Sequence, residues 1–384
     1  TTDPVVVAPA SIALPATVGT GAVASEAAIA AFLDGATATD NIGVDGNIVN
    51  DAPSTFPYGE TTVTFTATDA AGNEGTATAT VRVVLPETSH LFAANDGSNG
   101  MELWRTDGTE EGTVMVKDIN PAGDATPIRF VRIGTTVFFT ADDGSSGREL
   151  WQSDGSESGT TMVKDIYPGM DSADPRQLTA LDNTLYFTAS DGVNGNELWK
   201  SDGSETGTVF VKDILAGSDG SEISDLTVLD NRLIFAADNG TSGIELWGSD
   251  GTESGTTLLA DINTITPRAS SSPREIVVFR GAAYFSAASS SAGRELWRTD
   301  GTAANTALAV DIAPGTDSSD PYQLTVLGDP STGTLIFAAR GTVADGVEPW
   351  RSDGTAAGTS LLLDSKPMVS PTSSVNGSWP RELT

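Results

Sequence analysis

One phrase recurs six times along the chain and constrains its fold more than any other feature. Each copy reads Glu-Leu-Trp (Glu-Pro-Trp in the last), followed by any residue, Ser or Thr, Asp-Gly, and Ser or Thr. The tryptophans lie 47, 48, 48, 50 and 53 residues apart. A catalytic motif needs to occur once, whereas a structural unit recurs because each copy gives the next a surface to pack on. The predicted structural residues are Trp104, Trp151, Trp199, Trp247, Trp297 and Trp350, with Asp107, Asp154, Asp202, Asp250, Asp300 and Asp353.

Each repeat divides into four short strands. In the third repeat the predicted strands are 175–179, 184–189, 197–199 and 209–214. The second of these is apolar on both faces, as is typical of a strand covered on both sides by neighbouring sheets. Four strands in a unit of roughly 40–50 residues are typical of a β-propeller blade. We therefore predict an all-β chain with a six-bladed propeller.

The two ends of the repeat region complement each other. The first repeat begins at His90, in what is already a second strand. The chain finishes with Trp-Pro-Arg-Glu-Leu-Thr over 379–384, which matches the missing first strand. We therefore expect the C-terminal strand to close the ring, because closure removes the open edges that invite aggregation.

The first 84 residues do not share the repeat. Alternating apolar and polar residues over 61–69 and 76–84, joined by a turn at 69–73, predict a small immunoglobulin-like β-sandwich. Residues 22–33 fit either a short helical turn or a loop. The predicted domains are the sandwich at 1–84, a linker at 85–89 and the propeller at 90–384.

Three phrases within 1–84 resemble the HYR (hyalin repeat) family of immunoglobulin-like modules. They are T-D-N-x-G-V at 39–44, F-P-x-G-x-T-x-V-T at 56–64 and T-A-T-D-A-A-G-N at 66–73. The six repeats resemble the ELWxxDGT repeat family of bacterial exported proteins, from which Pro349 and Asn305 depart. The first resemblance implies an extracellular, adhesion-type module, and together they imply a secreted or cell-surface bacterial protein. The second family supplies no catalytic residues.

Composition narrows the partners. The chain has 52 acidic and 20 basic residues, a formal charge of −32, and no cysteine. Such a field repels nucleic-acid phosphates, so we expect no nucleic acid as a partner. No apolar run approaches the 18 residues of a membrane span, so we expect no membrane insertion. Without cysteine there is neither a disulfide nor thiol chemistry.

Acidic residues on glycine-rich loops are candidate calcium ligands, because Ca²⁺ prefers hard oxygen ligands. One set follows the second strand of a repeat and another follows the fourth strand. The candidates are Asp96, Asp143 and Asp191 in the first set, and Asp124, Asp171, Asp219 and Asp317 in the second. The alternative is that these loops are solvated acidic turns.

Several repeated side chains allow two interpretations. Each tryptophan either packs between blades or offers its indole to a sugar ring, and recurrence favours packing. Each Asp-Gly aspartate is predicted to bond to its own turn. The arginines of the first strands either line the propeller axis or pair with aspartates after the fourth strands, and pairing is favoured in so acidic a chain. These arginines are Arg129, Arg176, Arg274 and Arg381.

These observations lead to an expected function. We expect a non-enzymatic extracellular adhesion or assembly scaffold with no catalytic residues. Its expected partners are surface or matrix proteins, glycans, or further copies of the chain. The alternatives are a carbohydrate-binding propeller and a hydrolase, and a hydrolase would need a unique acidic cleft at one blade junction. The longest departures from the repeat, 264–272 and 328–333, are where such a cleft is expected. Function is predicted to lie in residues that differ between copies.

Overall fold

A computed structural model describes residues 2–41, 43–341 and 346–363. The chain divides into two compact units, Thr1–Asp165 with Gly169–Ser172, and Ile166–Pro168 with Ala173–Thr384. Strands dominate both units, and the one α-helix of the described part has seven residues. No helix in these ranges is long and apolar enough to cross a membrane.

The first unit begins with three small sheets and a helix. A four-stranded sheet has the order β2-β8-β7-β5, and β1 pairs with β4 and β3 with β6 in two smaller sheets. Strand β2 runs parallel to β8, and the other pairs are antiparallel. The elements are β1 (Val5–Val7), β2 (Ile12–Pro15), β3 (Gly21–Val23), α1 (Ala27–Leu33), β4 (Thr37–Thr39), β5 (Val44–Asn50), β6 (Thr55–Pro57), β7 (Gly59–Asp69) and β8 (Glu74–Val84).

The core of this sandwich follows from the alternation in its two long strands. In β7, Val63 and Phe65 point inward and are fully buried, because successive side chains of a strand face opposite sides. Helix α1 covers the same core with Ile29 and Phe32, three residues apart on one helical face. The region that the sequence left open between helix and loop therefore contains a strand, β3, followed by this helix.

Two further sheets complete the first unit. The first has three strands in the order β11-β10-β9, and the second has four, β12-β13-β14-β15. Their elements are β9 (His90–Asn95), β10 (Met101–Thr106), β11 (Val114–Lys117), β12 (Ile128–Ile133), β13 (Thr136–Asp142), β14 (Arg148–Ser153) and β15 (Thr161–Lys164).

The second unit holds four sheets of four antiparallel strands, each in chain order. A short 3₁₀ turn, Ala303–Asn305, lies in the third of them. The strands are β16 (Arg176–Leu181), β17 (Thr184–Ser190), β18 (Asn196–Ser201), β19 (Val209–Lys212), β20 (Ser224–Leu229), β21 (Arg232–Asp238), β22 (Ile244–Ser249), β23 (Thr257–Ala260), β24 (Arg274–Phe279), β25 (Ala282–Ser289), β26 (Gly293–Thr299), β27 (Ala307–Val310), β28 (Tyr322–Leu327), β29 (Thr334–Arg340), β30 (Val347–Ser352) and β31 (Ser360–Leu361). We number the sheets that begin at β9, β12, β16, β20, β24 and β28 as sheets 1 to 6.

Within each unit, consecutive sheets share buried apolar clusters: sheets 1 and 2 in the first unit, and sheets 3 and 4, 4 and 5, and 5 and 6 in the second. The five central residues of β17, 185–189, are all buried, as predicted for a strand covered on both sides. The first strands β16, β20, β24 and β28 contact one another in series. The Oγ1 of Thr179 donates to the carbonyl of Leu226, and that of Thr227 donates to the carbonyl of Ile276. The predicted all-β fold, a sandwich followed by propeller sheets, is confirmed.

The prediction that the ring closes with strand 379–384 lies outside the described residues. Sheet 1 has three strands in the described part of the chain, and its first strand along the sequence is β9. A closed six-bladed ring and the domain boundaries at 84 and 90 stay predictions.

Candidate functional site

The turn between the third and fourth strands of each sheet, which we call the DGT turn, closes its hydrogen bonds on itself. In sheet 3, Oδ1 of Asp202 accepts from the amide (2.9 Å) and the hydroxyl (2.7 Å) of Ser204. The hydroxyls of Ser201 and Thr208 lie 2.7 Å apart across the turn. These bonds hold the pKa of Asp202 below its usual value, mainly through the Ser204 hydroxyl. The same aspartate bonds recur at Asp107, Asp154, Asp250, Asp300 and Asp353.

A glycine five residues after the aspartate is part of the same DGT turn. A Cβ on Gly207 would lie 2.0 Å from Oδ1 of Asp202, so a side chain here requires the carboxylate or the backbone to shift. Sheet 5 departs from this pattern with Asn305, whose Nδ2 donates to Oδ2 of Asp300 at 2.7 Å. The departure therefore keeps the aspartate in place by adding a hydrogen bond.

Four of the six repeated tryptophans pack in an apolar cluster with residues of the preceding sheet: Trp151, Trp247, Trp297 and Trp350. Trp151, Trp199 and Trp247 are each 6% exposed, and the other three described members of the series are half-buried. Trp247 of sheet 4 packs in one cluster with Leu198 and Val211 of sheet 3. The three indoles that are 6% exposed present no open face on which a sugar ring could stack.

The glutamate two residues before each tryptophan is buried, and the sequence analysis did not predict this. Glu197 is fully buried and accepts from the amides of Ile214 and Ser221, both at 3.0 Å, and from the Ser221 hydroxyl at 2.7 Å. Burial raises the pKa of Glu197 to about 7. All six equivalents are 0% exposed: Glu102, Glu149, Glu197, Glu245, Glu295 and Glu348. Their recurrence was the available signal, but a charged residue in a strand usually indicates a solvated face.

Three equivalents of Glu197 likewise anchor the loop that leads to the next sheet. Glu102 accepts from Ile119 and Ala125, Glu245 from Ile262 and Ser271, and Glu295 from Ile312 and Ser319. Burial raises the pKa of these three carboxyls as well. The loop backbones at this end of the sheets are thus fixed by buried carboxylates, while their exposed side chains differ.

The first set of candidate calcium ligands caps its own loops. Oδ1 of Asp96 accepts from the amides of Ser98 and Asn99, and its Oδ2 accepts from the Asn99 side chain. Asp143 and Asp191 make the same kind of contacts within their loops. These amides already bind the carboxylate oxygens that a calcium ion would need.

The second set of candidates is not one structural series. Oδ1 of Asp124 accepts from the amide of Met101, a role that the Ser172 hydroxyl takes for Arg148. Asp171, Asp219 and Asp317 lie one position earlier in their loops. The backbone carbonyl of each faces a glycine, and a Cβ added to that glycine would lie 2.2–2.5 Å from the carbonyl oxygen. Across 2–41, 43–341 and 346–363, no three acidic or histidine side chains converge as a metal site. Calcium binding stays a prediction.

The candidate site is a cleft of about 820 Å³ in the second unit, at the end of sheets 3 and 4 opposite their DGT turns. Strands β16 and β18 begin there, and the loop after β19 and the end of β21 complete its walls. Arg268 comes from one of the two longest departures from the repeat, 264–272, where a functional cleft was expected. The polar lining is Asp174, Arg176, Gln177, Thr188, Asn196, Ser218, Asp219, Glu222, Asp238 and Arg268.

The charged residues of the cleft are two arginines and four acidic residues. Arg176 pairs with Asp174, two residues before it, through both Nε and a terminal nitrogen. Its predicted partner was an aspartate after a fourth strand, so the pairing is more local than expected. The guanidinium of Arg268 lies 3.8 Å from Asp238 and remains 64% exposed. The cleft therefore offers both positive and negative groups to a ligand.

Left-handed backbone positions aim side chains into this end of the sheets. Arg268 has φ +65°, and Gln177, the second residue of its strand, has φ +55° at a bulge in the pairing of β16 with β17. The conformation of Gln177 recurs at the equivalent positions Arg129, Asp225, Glu275 and Gln323, so it belongs to the repeated bulge. Ile128 of β12 and Arg176 of β16 occupy the same pairing position in their sheets. Arg129 is therefore the equivalent of Gln177 and not of Arg176.

Comparison with known proteins supports the two-part architecture. Residues 1–83 match the HYR domain. No curated protein matches the chain. Among solved structures, a prolyl endopeptidase shares 10% identity over 82% of this chain and 49% of its own, with a TM-score of 0.44. A puromycin-hydrolysing peptidase of Mycobacterium tuberculosis shares 12% over 80% and 52%, with a TM-score of 0.40. The β-propeller domain of the Trilobed protease from Pyrococcus furiosus shares 11% over 83% and 94%, with a TM-score of 0.39.

These neighbours correct the expected function. The chain spans about half the length of most of the peptidases and hydrolases that it is similar to. The expectation of a non-enzymatic adhesion or assembly scaffold, and of no enzyme, is wrong, because the structures that share its fold are peptidases and hydrolases. At 9–16% identity, the likeness shows the fold and assigns no activity to this chain.

Proposed function

We propose that the propeller is the substrate-binding part of an exported hydrolase, and that the cleft at sheets 3 and 4 binds short zwitterionic substrates such as peptides. The observation that carries this proposal is Arg268. It comes from one of the two longest departures from the repeat, has a left-handed backbone and keeps a largely exposed guanidinium over the cleft. A residue that breaks the repeat and accepts backbone strain is better explained by a ligand than by packing.

The chemistry of the lining supports a peptide as the substrate class. Arg268 suits a carboxylate, because a guanidinium binds carboxylates with two parallel hydrogen bonds. Asp219 and Glu222 suit an amino group, and the side-chain amides of Gln177 and Asn196 suit a peptide backbone. The hydrolytic part of the proposal takes its reaction class from the names of the neighbours. Export, and the assignment of the repeats to the ELWxxDGT family, belong to the same proposal and rest on the sequence resemblances.

The binding test uses triglycine, N-acetyl-triglycine and triglycine amide in calorimetric titrations of the full chain. We expect triglycine to bind best and R268Q to weaken it about tenfold, which corresponds to ~1.4 kcal/mol. The control is R351Q, which alters an exposed arginine of sheet 6. The proposal would be contradicted if R268Q and R351Q bound triglycine with equal affinity, or if none of the three peptides bound to the chain.

A second measurement separates binding from hydrolysis. The same peptides are incubated with the chain, and released amino groups are quantified. Release that R268Q reduces and R351Q leaves unchanged places hydrolysis in this chain. Binding without release places the reaction in another part of the same polypeptide or assembly.

A further inference from the structure

The HYR module and the first two propeller sheets lie in one compact unit and share a closely fitted contact. The contact surface on the propeller side consists of the DGT turns of sheets 1 and 2. On the module side it consists of Gly19, the segment from Tyr58 to Gly59, Arg82 and Leu85. The question is why the module lies against these turns when the chain repeats the turn six times.

One ion pair and one backbone hydrogen bond join the module to the turn of sheet 2. The guanidinium of Arg82 lies 3.0 Å from Oδ2 of Asp154, and the amide of Leu85 donates to the carbonyl of Asp154 at 3.1 Å. Arg82 is the single basic residue among the first 84. Asp154 is 6% exposed, whereas Asp107, Asp202, Asp250 and Asp300 in the equivalent turns are exposed. The one cation of the module is therefore placed on this turn.

Arg105 of sheet 1 links the two modules from the other side. Its guanidinium stacks over the ring of Tyr58 at 3.8 Å and donates to the carbonyl of Gly155 at 2.8 Å. A second nitrogen donates to the carbonyl of Gly19 at 3.4 Å. One side chain thus holds two loops of the module and one turn of the propeller.

The fit is too close for larger side chains. A Cβ on Gly59 would lie 3.1 Å from Oγ of Ser156 and 3.2 Å from Oγ of Ser158, and one on Gly155 would lie 2.8 Å from Leu85. Sheet 2 has the one DGT turn with serine at both of these positions. The other five pairs are Thr109 and Glu111, Ser204 and Thr206, Thr252 and Ser254, Thr302 and Ala304, and Thr355 and Ala357.

We propose that the DGT turn of sheet 2 is a docking site selective for the HYR module of the same chain, and that Asp154, Ser156 and Ser158 supply the selectivity. Asp154 provides the charge for Arg82, and the two serines provide the space for the backbone of Gly59. The linker at 85–89 is then held by the dock, because the amide of Leu85 is bonded to Asp154 and the side chain of Arg132 donates to the carbonyl of Ser89 at 2.8 Å.

The test is hydrogen exchange of the Leu85 amide in the full chain, read by NMR. We expect the docked amide to exchange at least about a hundredfold more slowly than in an unstructured chain. The double variant S156T/S158T adds two methyl groups at the contact. Thr occupies the position of Ser156 in four other turns, so the turn itself tolerates the first change. We expect this variant and R82Q each to speed the exchange of Leu85 about tenfold or more.

The matched control is S204T, which makes the equivalent change in the turn of sheet 3. We expect it to leave Leu85 protected. The amides of Val63 in β7 and Leu150 in β14 report whether both parts stay folded in every variant. Free exchange of Leu85 in the unmodified chain would overturn the proposal, as would an equal loss of protection in S204T and S156T/S158T. Neither result depends on whether the cleft binds peptides.

Discussion

The two ends of sheet 3 differ in what they repeat. At the DGT end, Asp202, Ser204 and Gly207 form bonds that close within the turn, and the same bonds recur in the other sheets. At the opposite end, Asn196 lines a cleft, and its place is taken in the other sheets by Met101, Arg148, Ile244, Arg294 and Val347. The difference teaches that residues recur where their hydrogen bonds close within the turn, and that residues can vary where their side chains line the cleft.

Glu197 explains how the variable end can vary. Its carboxylate fixes the backbone of the loop after β19 from inside the sheet, so the loop does not depend on its exposed side chains for shape. A fixed backbone with free side chains is a suitable base for a binding site, because binding groups must be held in place before the ligand arrives.

The largest expected effect comes from removing this anchor. E197A leaves the amides of Ile214 and Ser221 and the Ser221 hydroxyl buried without their acceptor. We expect a loss of about 3–5 kcal/mol in the free energy of unfolding, as for other broken buried polar networks. Urea denaturation measures it, and E205A, on the exposed DGT turn, is the control. A loss below about 1 kcal/mol would mean that the loop holds its shape without the carboxylate.

We expect pH to have an effect of intermediate size on stability. At one end of sheet 3 the pKa of Glu197 is raised, and at the other end the pKa of Asp202 is lowered. The pKa of Glu197, raised from 4.5 to about 7, makes a contribution to stability that is complete below pH 4.5 and is lost as the pH rises through 7. One pKa unit is worth about 1.4 kcal/mol, so the loss from Glu197 is on the order of 3 kcal/mol. The lowered pKa of Asp202 acts in the opposite sense, and its stabilisation is lost as the pH falls below the usual range of aspartate.

We therefore expect the midpoint of thermal unfolding to be highest between about pH 4.5 and 6. E197Q should flatten the decline between pH 5 and 8, because glutamine does not titrate. A midpoint that rises steadily from pH 5 to 8 in the unmodified chain would show that the buried glutamates do not control this range.

The smallest expected effect tests the DGT end. G207A places a Cβ within 2.0 Å of the Asp202 carboxylate and must displace it. We expect a loss of about 1–2 kcal/mol in the free energy of unfolding, typical of a lost cap or turn bond. G207N should cost less than G207A, because sheet 5 holds its aspartate with the side chain of Asn305. Urea denaturation of both variants measures the difference, and the reverse order would contradict the proposed role of the Asn305 amide.

Sequence alone determined the repeat and the local chemistry that the repeat requires. The spacing of Trp104 to Trp350 predicted sheets of four strands, and the alternation over 61–69 and 76–84 predicted strands that the structure extends to 59–69 and 74–84. These signals are readable because apolar periodicity and turn residues act over a few positions. The phrases at 39–73 likewise indicated the HYR domain that matches 1–83.

Only the tertiary structure decided what the long-range contacts do. Glu197 is buried in the structure, although a charged residue in a strand usually indicates a solvent-exposed face. Asp124 does not occupy the position of Asp171, although the sequence placed them in one series. The tertiary structure joined Arg268 to Asp238 across the cleft and Arg82 to Asp154 across 72 residues of sequence. Such pairings depend on how sheets and modules pack, and no local pattern of residue types encodes the distance between side chains that come from different elements.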